Sequence, residues 1–310
     1  MSLNPEIPDL APAEAPRGET AAIETLQLWF DGEVMSHESA RVPLTTHALH
    51  YGSGVFEGIR SYATVDGGAA VFRLPEHLQR MRLGAAAFGA DFDVVLAQEA
   101  TLQVLRANHH RDAYIRPLLW FGTGGLALDV GSLTQHLMVA SLPWKSHLGE
   151  HRQRLSVSPF RRNRSAALPP LKLCGGYVNS ILAKREASAR GFDEAMFVDD
   201  DGFVVECSAE NVFLVKAGRV TAVEHADALP GITRATLVEL TGAQSRPVAL
   251  DELLDADEVF VCGTSAEVAS VAAIDGREFA AAPLTRELQA HYAGIVRGRE
   301  SRFSSWLTHV

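Results

Sequence analysis

The fold assignment starts from residues 169–177, which read Pro169-Pro170-Leu171-Lys172-Leu173-Cys174-Gly175-Gly176-Tyr177. Lysine is rare in this chain, because only four of the 28 basic side chains are lysines. An amine between apolar residues and before a glycine pair is expected to be desolvated, which lowers its pKa and makes it a nucleophile towards carbonyl groups. Taken alone, the stretch is better explained by a lysine whose stem packs on apolar surface while its ammonium group reaches water.

The composition limits the class of protein. The chain has 310 residues, enough for one large domain or two ordinary ones. The formal net charge is −10 and no basic cluster stands out, which argues against nucleic acid as a partner. We expect neither a membrane span nor a signal peptide, because no apolar run is long enough and the first residues lack a basic start. Three cysteines without a CxxC pair favour a reducing compartment, and we expect the cytoplasm.

Strands and helices mix along the chain without a regular βαβ alternation, which predicts an α+β fold. We expect a mobile tail over residues 1–22, a small N-terminal domain over 23–142, an interdomain loop over 143–152 and a larger C-terminal domain over 153–310.

Hydrophobic periodicity predicts the individual elements. We expect strands at Ala69–Phe72, Glu194–Val198 and around Val248, and helices at 75–88, 176–190 and 233–241. In the first of these helices, one face should be formed by Leu78, Met81, Leu83 and Ala86.

Two segments could hold an anion. In the first, Leu229-Pro230-Gly231 leads into a helix that begins at about Thr233, where free N–H groups and a hydroxyl could bind phosphate. In the second, residues 261–267, a strand ends in Gly263-Thr264-Ser265. Each segment alone is better explained as an ordinary cap or turn. Together with Lys172, they suggest pyridoxal phosphate.

Pyridoxal phosphate needs a carboxylate partner for its ring nitrogen. Glu206 ends an apolar strand and is followed by small residues, so it is a candidate. Glu210 could be the partner instead, or a simple cap, and Glu206 could be a solvent-facing strand end.

These segments, in this order, resemble the class IV (fold-type IV) pyridoxal-phosphate aminotransferases, and most closely the branched-chain amino acid aminotransferases. The resemblance runs from about Leu28 to about Ile295. Its markers are the segments 47–60, 76–80, 114–117, 172–180, 206–213, 229–234 and 263–264. Each is weak alone, but the whole set in register is specific.

The resemblance implies a two-domain architecture with the active site at the domain interface, and it implies roles toward the cofactor. Lys172 would form the Schiff base and later move the proton between Cα and C4′, and Glu206 would pair with the pyridine nitrogen. The other cofactor-binding residues would be Arg80, Tyr177, Leu229, Ile232, Thr233 and Thr264.

The resemblance also implies a substrate pocket. Tyr114 and the N–H groups of Ser265 and Ala266 would bind the α-carboxylate, and Arg116 would receive the side-chain carboxylate of glutamate. The expected walls are Phe56, Trp144 and Tyr177, with Tyr51 and Leu128 contributed by a partner subunit. A homodimer or larger homo-oligomer is therefore implied, and no metal is expected.

The predicted reaction moves the amino group of L-leucine, L-isoleucine or L-valine to 2-oxoglutarate. Alternatives of the same fold are a D-amino acid or (R)-amine aminotransferase and an aminodeoxychorismate lyase. A non-catalytic binder of phosphate ligands is the alternative from another class. His147 and the loop 122–128 depart from the common pattern, which leaves the substrate preference open.

Overall fold

The computed structural model describes residues 26–144, 152–280 and 282–310. The predicted N-terminal tail, most of the predicted interdomain loop and His147 lie outside these residues.

The first sheet is antiparallel and is built mainly from the first half of the chain. Its strands among the described residues are β1 (Gln27–Phe30), β2 (Glu33–Ser36), β3 (Gly54–Phe56), β4 (Ile59–Ala63), β5 (Ala69–Phe72), β6 (Ala113–Phe121), β7 (Gln135–Pro143) and, from the other end of the chain, β17 (Leu307–His309). The spatial order is β17-β5-β4-β6-β7-β1-β2, and β3 also pairs with β6.

The second sheet is mixed. Its strands are β8 (Gln153–Val157), β9 (Glu194–Val198), β10 (Val204–Cys207), β11 (Asn211–Lys216), β12 (Arg219–Val223), β13 (Gln244–Arg246), β14 (Glu258–Gly263), β15 (Glu267–Ile274) and β16 (Arg277–Glu278). The order is β10-β9-β8-β15-β14-β11-β12-β13, with β16 on β15. Strand β8 runs parallel to both of its neighbours, whereas β11, β14 and β15 are antiparallel.

Helices cover both sheets. Those in the described residues are α1 (His47–Tyr51), α2 (Leu74–Ala87), α3 (Val94–Ala107), α4 (Tyr177–Ala189), α5 (Ile232–Thr241), α6 (Leu250–Leu254) and α7 (Pro283–Val296). Helix α3 begins where the Asp93 carboxylate accepts the N–H groups of Val95 and Leu96. Helices α2 and α3 pack on β1, β4 and β6 in one apolar core. None of the described helices is both long and apolar enough to cross a membrane.

Two predictions about local structure are wrong. Leu83 and Ala86 are exposed, and the buried face of α2 continues through Gly84 and Ala85 instead. Val248 lies outside the strands, because the polar segment Gln244–Arg246 makes the parallel pairing with β12.

The α+β prediction is confirmed, with one sheet mainly before and one sheet after the segment around residue 150. The predicted domain boundaries stay a prediction. The two sheets are not separate along the chain, because β17 returns to pair with β5. Apolar residues of both halves, among them Tyr62, Phe72 and Leu237, share one buried cluster. The sheets therefore pack firmly against each other, and the space that remains between them can serve as a site.

Candidate active site

A cavity of about 740 Å³ lies between the two sheets. Its walls come from β3, β6, the end of β7, helix α2, the segment before α4, the start of α5 and the turn after β14. The sequence-predicted site residues that line it are Phe56, Arg80, Tyr114, Arg116, Trp144, Lys172, Tyr177, Leu229, Ile232, Thr233, Thr264 and Ser265. Residues from distant parts of the sequence are thus brought together around one space.

Four predicted residues do not line this cavity. Glu206 contacts two residues that do, and Ala266 is buried next to Ser265. Tyr51 and Leu128 lie on the surface, with exposed fractions of 50% and 78%. Among the described residues, neither Tyr51 nor Leu128 lines the pocket of its own chain.

Lys172 lies at the floor of the cavity. Its Nζ donates to the Tyr177 hydroxyl at 2.8 Å and lies 5.0 Å from the centre of the Phe56 ring. Burial lowers the pKa of Lys172 from 10.5 to about 8, although the nearby Glu57 carboxylate acts in the opposite direction. Burial likewise raises the pKa of Tyr177 to about 12, so its hydroxyl stays protonated. About a tenth of the lysine is therefore a neutral amine at pH 7, far more than a pKa of 10.5 would allow.

The start of helix α5 forms a cup for an anion. Gly231 precedes the helix, and no side chain caps the free N–H groups of its first turn. A Cβ at position 231 would collide with the Asn211 Oδ1, so a larger residue would have to displace the Asn211 side chain, whose Nδ2 donates to the Leu229 carbonyl at 3.1 Å. Arg80 reaches the same place from α2, since its Nη1 donates to the Pro230 carbonyl at 2.9 Å. A phosphate group would meet N–H groups, the hydroxyl of Thr233 and a guanidinium here.

Arg80 is held by a buried carboxylate that the sequence analysis missed. Glu57 is fully buried and accepts hydrogen bonds from Arg80 Nε at 2.7 Å, Arg80 Nη2 at 2.9 Å and His77 Nδ1 at 2.9 Å. Burial alone would raise the pKa of Glu57, but Arg80 and His77 outweigh it and hold that pKa well below the usual range. The available signal was an acid placed between the apolar residues Phe56 and Ile59.

Glu206 is held at another edge of the cavity. It accepts Arg162 Nε at 2.7 Å and the N–H of Leu229 at 3.0 Å, and it is 4% exposed. Burial raises its pKa, and Arg162 opposes that effect. Glu210 lies instead beside the carboxylate of Glu194, which together with burial raises its pKa to about 8. Arg162 was missed, because nothing distinguishes it within the run Arg161-Arg162-Asn163-Arg164.

The remaining wall is aromatic and cationic. Arg116 Nη2 donates to the Tyr114 hydroxyl at 2.8 Å and its guanidinium lies 4.8 Å from the Phe56 ring centre. The Tyr114 ring packs against Trp144 at 5.5 Å. Among the described residues, neither Arg116 Nε nor Trp144 Nε1 has a hydrogen-bond partner, although both are buried. Such unpartnered donors are costly unless a ligand accepts from them.

These groups fit pyridoxal phosphate by their chemistry. A cup of N–H groups with Arg80 suits the phosphate, a partly neutral Lys172 suits the carbonyl carbon, and the buried Glu206 suits a protonated ring nitrogen. No group of three or more His, Cys, Asp and Glu side chains in the described chain could hold a metal ion. The three cysteines are free, and Cys174 and Cys262 touch the cavity beside these groups.

Comparisons with known proteins identify the family of this chain. The family model described as "Amino-transferase class IV" matches residues 54–274. A branched-chain-amino-acid aminotransferase of Pseudomonas aeruginosa is 36% identical over 298 residues, which cover 91% of this chain and 97% of that protein. The enzyme of the same name from Escherichia coli K12 is 35% identical over 300 residues, covering 91% of this chain and 97% of that protein.

Solved structures give the same result. A branched-chain aminotransferase from the thermophilic archaeon Thermoproteus uzoniensis, solved with norvaline, has a TM-score of 0.87 and 35% identity. The alignment covers 92% of this chain and 99% of that chain. A further branched-chain amino acid aminotransferase, complexed with N-(5′-phosphopyridoxyl)-L-glutamate, has a TM-score of 0.88 and 38% identity at the same coverage. This chain therefore belongs to the class IV aminotransferases.

Proposed function

We propose that the protein is a pyridoxal-phosphate-dependent aminotransferase that moves the amino group of L-leucine, L-isoleucine or L-valine to 2-oxoglutarate. The observation that carries the proposal is the cavity between the sheets, in which Lys172 and the phosphate cup lie beside an aromatic wall and Arg116. Relatives that match over nine-tenths of the chain bear the name of this activity.

The cofactor would be held at three points. Arg80, Ile232, Thr233 and Thr264 would bind its phosphate, and Leu229 would pack on the ring. Tyr177 would donate to the ring oxygen, since its raised pKa keeps the proton on the hydroxyl. Glu206 would keep the ring nitrogen protonated. When bound, pyridoxal phosphate supplies an electron sink for the electrons released as the amino acid loses its Cα proton.

Lys172 would be the catalytic residue. A general base works best when its pKa lies near the operating pH, and that of Lys172 is about 8 in the protein alone. Its Nζ would take the proton from the substrate Cα and deliver it to C4′ of the cofactor. The hydrogen bond to Tyr177 at 2.8 Å fixes the amine on the floor of the cavity while it does so.

The pocket would have to accept both an aliphatic and an acidic side chain. Phe56, Tyr177 and Trp144 would pack against the aliphatic chain, and Arg116 at the wall would pair with the second carboxylate of glutamate. The unpartnered Nε of Arg116 supports this role, because a buried guanidinium donor gains a partner when an acid binds. Tyr114 with the N–H groups of Ser265 and Ala266 would receive the α-carboxylate shared by all substrates.

We propose a homodimer or larger homo-oligomer that completes this pocket. Helix α1 and the loop 122–128 are joined into one unit, since Tyr51 donates to the Leu126 carbonyl at 3.1 Å and His47 Nε2 contacts the Ala127 carbonyl at 3.0 Å. The unit carries Leu128, which is 78% exposed. On the cavity rim Ile181 is 57% exposed. A partner's Tyr51 and Leu128 would cover such an apolar rim. The free cysteines favour the reducing cytoplasm as the location.

The visible spectrum of the purified protein tests the function. A yellow band that bleaches with L-leucine and returns with 2-oxoglutarate would support the cofactor, the substrate class and both half-reactions. D-leucine is the matched control and should leave the band unchanged. A yellow protein that ignores L-leucine would point to D-amino acids, amines or the lyase reaction. A protein that stays colourless after incubation with pyridoxal phosphate would overturn the role of Lys172.

A further inference from the structure

Glu267 occupies a backbone conformation that glutamate rarely adopts. The residue pair Gly263 and Glu267 closes the three-residue loop Thr264–Ala266 between β14 and β15. Glu267 ends that loop with a φ of +55°, in the left-handed region. Short loops of this kind usually place glycine at the left-handed position, because a Cβ is strained there. A glutamate at this position needs a compensating interaction of its side chain.

That interaction crosses to the other sheet. Glu267 Oε1 lies 3.6 Å from the Nη2 of Arg60 on β4, and Arg60 is only 2% exposed. Arg60 Nε and Nη1 are buried and have no hydrogen-bond partner in the described part of the chain. A buried guanidinium is unstable without a nearby opposite charge, and Glu267 supplies the charge. The guanidinium also lies 4.9 Å from the Tyr62 ring centre.

Arg60 belongs to the part of the first sheet that faces the cavity. It pairs directly with Tyr114 across β4 and β6, so both side chains point to the same face. The Tyr114 hydroxyl lies 2.2 Å from where a Cβ of Gly58 would be, which places it over the start of the same strand. The ion pair therefore joins the sheet that carries Tyr114 to the turn that carries Ser265 and Ala266.

We propose that Glu267 is a positioning residue, anchored by Arg60, that fixes the turn Thr264–Ala266 against the first sheet. The turn then presents the N–H groups of Ser265 and Ala266 to the carboxylate that every amino acid and 2-oxo acid substrate shares. The inference rests on the proposed function, because it takes the α-carboxylate to bind at this turn. It predicts that Glu267 governs recognition of that carboxylate and leaves recognition of the side chain unaffected.

The test compares carboxylate binding by holoenzyme variants. Glu267→Gly removes the side chain and relieves the backbone strain, and Glu267→Gln removes only the charge. We expect both to weaken binding of 4-methylvaleric acid, which is leucine without its amino group, by about 10- to 100-fold, because a displacement of about 1 Å can have an effect of that size. The KM values for L-leucine and L-glutamate should rise by the same factor while kcat changes less. Glu278→Gln, on the exposed strand β16, is the matched control.

An amine without a carboxylate separates positioning from general damage. The rate of reaction with 3-methylbutylamine should be equally low in Glu267→Gly and in the unmodified enzyme. A generally distorted active site would lower that rate further in the variant. The double variant Arg60→Met with Glu267→Gly should bind 4-methylvaleric acid no more weakly than Glu267→Gly alone.

The outcomes distinguish the two proposals. If Glu267→Gly binds 4-methylvaleric acid as well as the unmodified enzyme does, the inference is wrong. It is also wrong if Glu267→Gly loses as much activity with 3-methylbutylamine as with L-leucine. In both cases the proposed function stands as long as the unmodified enzyme reacts with leucine. An unmodified protein that shows neither the yellow band nor exchange with leucine would overturn the proposed function, and the inference with it.

Discussion

Replacing Lys172 by methionine should stabilise the cofactor-free protein at neutral pH. Burial lowers the pKa of Lys172 from 10.5 to about 8, with Arg80 and Arg116 adding to the effect. That difference of about 2.5 pH units corresponds to at most about 3–4 kcal/mol, because each pH unit is worth about 1.4 kcal/mol. Lys172 is partly accessible from the cavity, which reduces the penalty. We therefore expect a gain of about 1–3 kcal/mol for Lys172→Met.

The gain should depend on pH in a defined window. The unfolded chain binds the lysine proton below pH 10.5, whereas the folded chain binds it only below about 8. The unfolded state thus holds more protons between these values, so stability of the unmodified protein rises with pH there. The penalty is fully present below about pH 8 and disappears towards pH 10.5. The advantage of Lys172→Met is largest at neutral pH and shrinks as the pH rises.

Urea denaturation of the cofactor-free proteins measures this advantage. Lys216→Met is the control, because Lys216 is half exposed and paired with Asp255 and Asp257 on the surface. The control should change the free energy of unfolding by no more than about 0.5 kcal/mol, both at neutral pH and at about pH 10. A Lys172→Met protein that is no more stable than the unmodified one at neutral pH would refute the reasoning. So would a gain that stays constant up to about pH 10.

Three further substitutions test the proposed roles of charged groups. Arg116→Ala should slow the half-reaction with L-glutamate by about 100-fold and the half-reaction with L-leucine by less than about tenfold, as measured by stopped-flow spectroscopy. An equal decrease in both rates would show that Arg116 does not recognise the side chain. Glu57→Gln frees Arg80 and should weaken binding of pyridoxal phosphate about tenfold in equilibrium dialysis, with pyridoxal as the control that stays unchanged. Glu206→Gln should keep the cofactor but lower kcat by about 100-fold, and an unaltered kcat would contradict its pairing with the ring nitrogen.

Sequence patterns predicted those elements whose local signal is strong. The strand Ala69–Phe72 is a continuous apolar run, and the strand Glu194–Val198 is apolar after its first residue. Both strands are confirmed with their predicted bounds. Strand β15 (Glu267–Ile274) was missed, since its alanines and serine have little preference for strands. It is nevertheless central to the second sheet, because β8 and β14 pair with its two edges.

Helix α2 shows how a predicted face can be right at Leu78 and Met81, which are buried, and wrong at Leu83 and Ala86, which are exposed. Its buried positions include Leu74, His77, Leu78, Met81, Gly84 and Ala85, which follow the three- and four-residue spacing of a helix. The prediction followed the large apolar residue Leu83 instead, which is exposed. Gly84 packs so closely on β3 that a Cβ there would lie 3.1 Å from Val55. Close packing against β3 thus decides the face, and a hydrophobicity pattern does not contain that information.

The residues that line the cavity were predictable as motifs, whereas the residues that pair with them were not. Glu57 contacts Arg80 across 23 residues and Arg162 contacts Glu206 across 44. Arg60 meets Glu267 from the other sheet. Such pairs have no local period, and they become visible only once the two sheets are packed together.

Charge pairing around the cavity supports the role proposed for Arg116 with substrates whose side chains differ in charge. Among the described residues, Arg80 is paired with Glu57, Arg162 with Glu206 and Arg60 with Glu267. Arg116 makes no ion pair among these residues, and it contacts the Tyr114 hydroxyl and the Phe56 and Tyr114 rings instead. A guanidinium held by a hydroxyl and an aromatic face stays available when an aliphatic side chain binds, and it gains a full ion pair when an acidic one does. Since the three other arginines are already paired, Arg116 would be the group that distinguishes the two side chains under the proposed function.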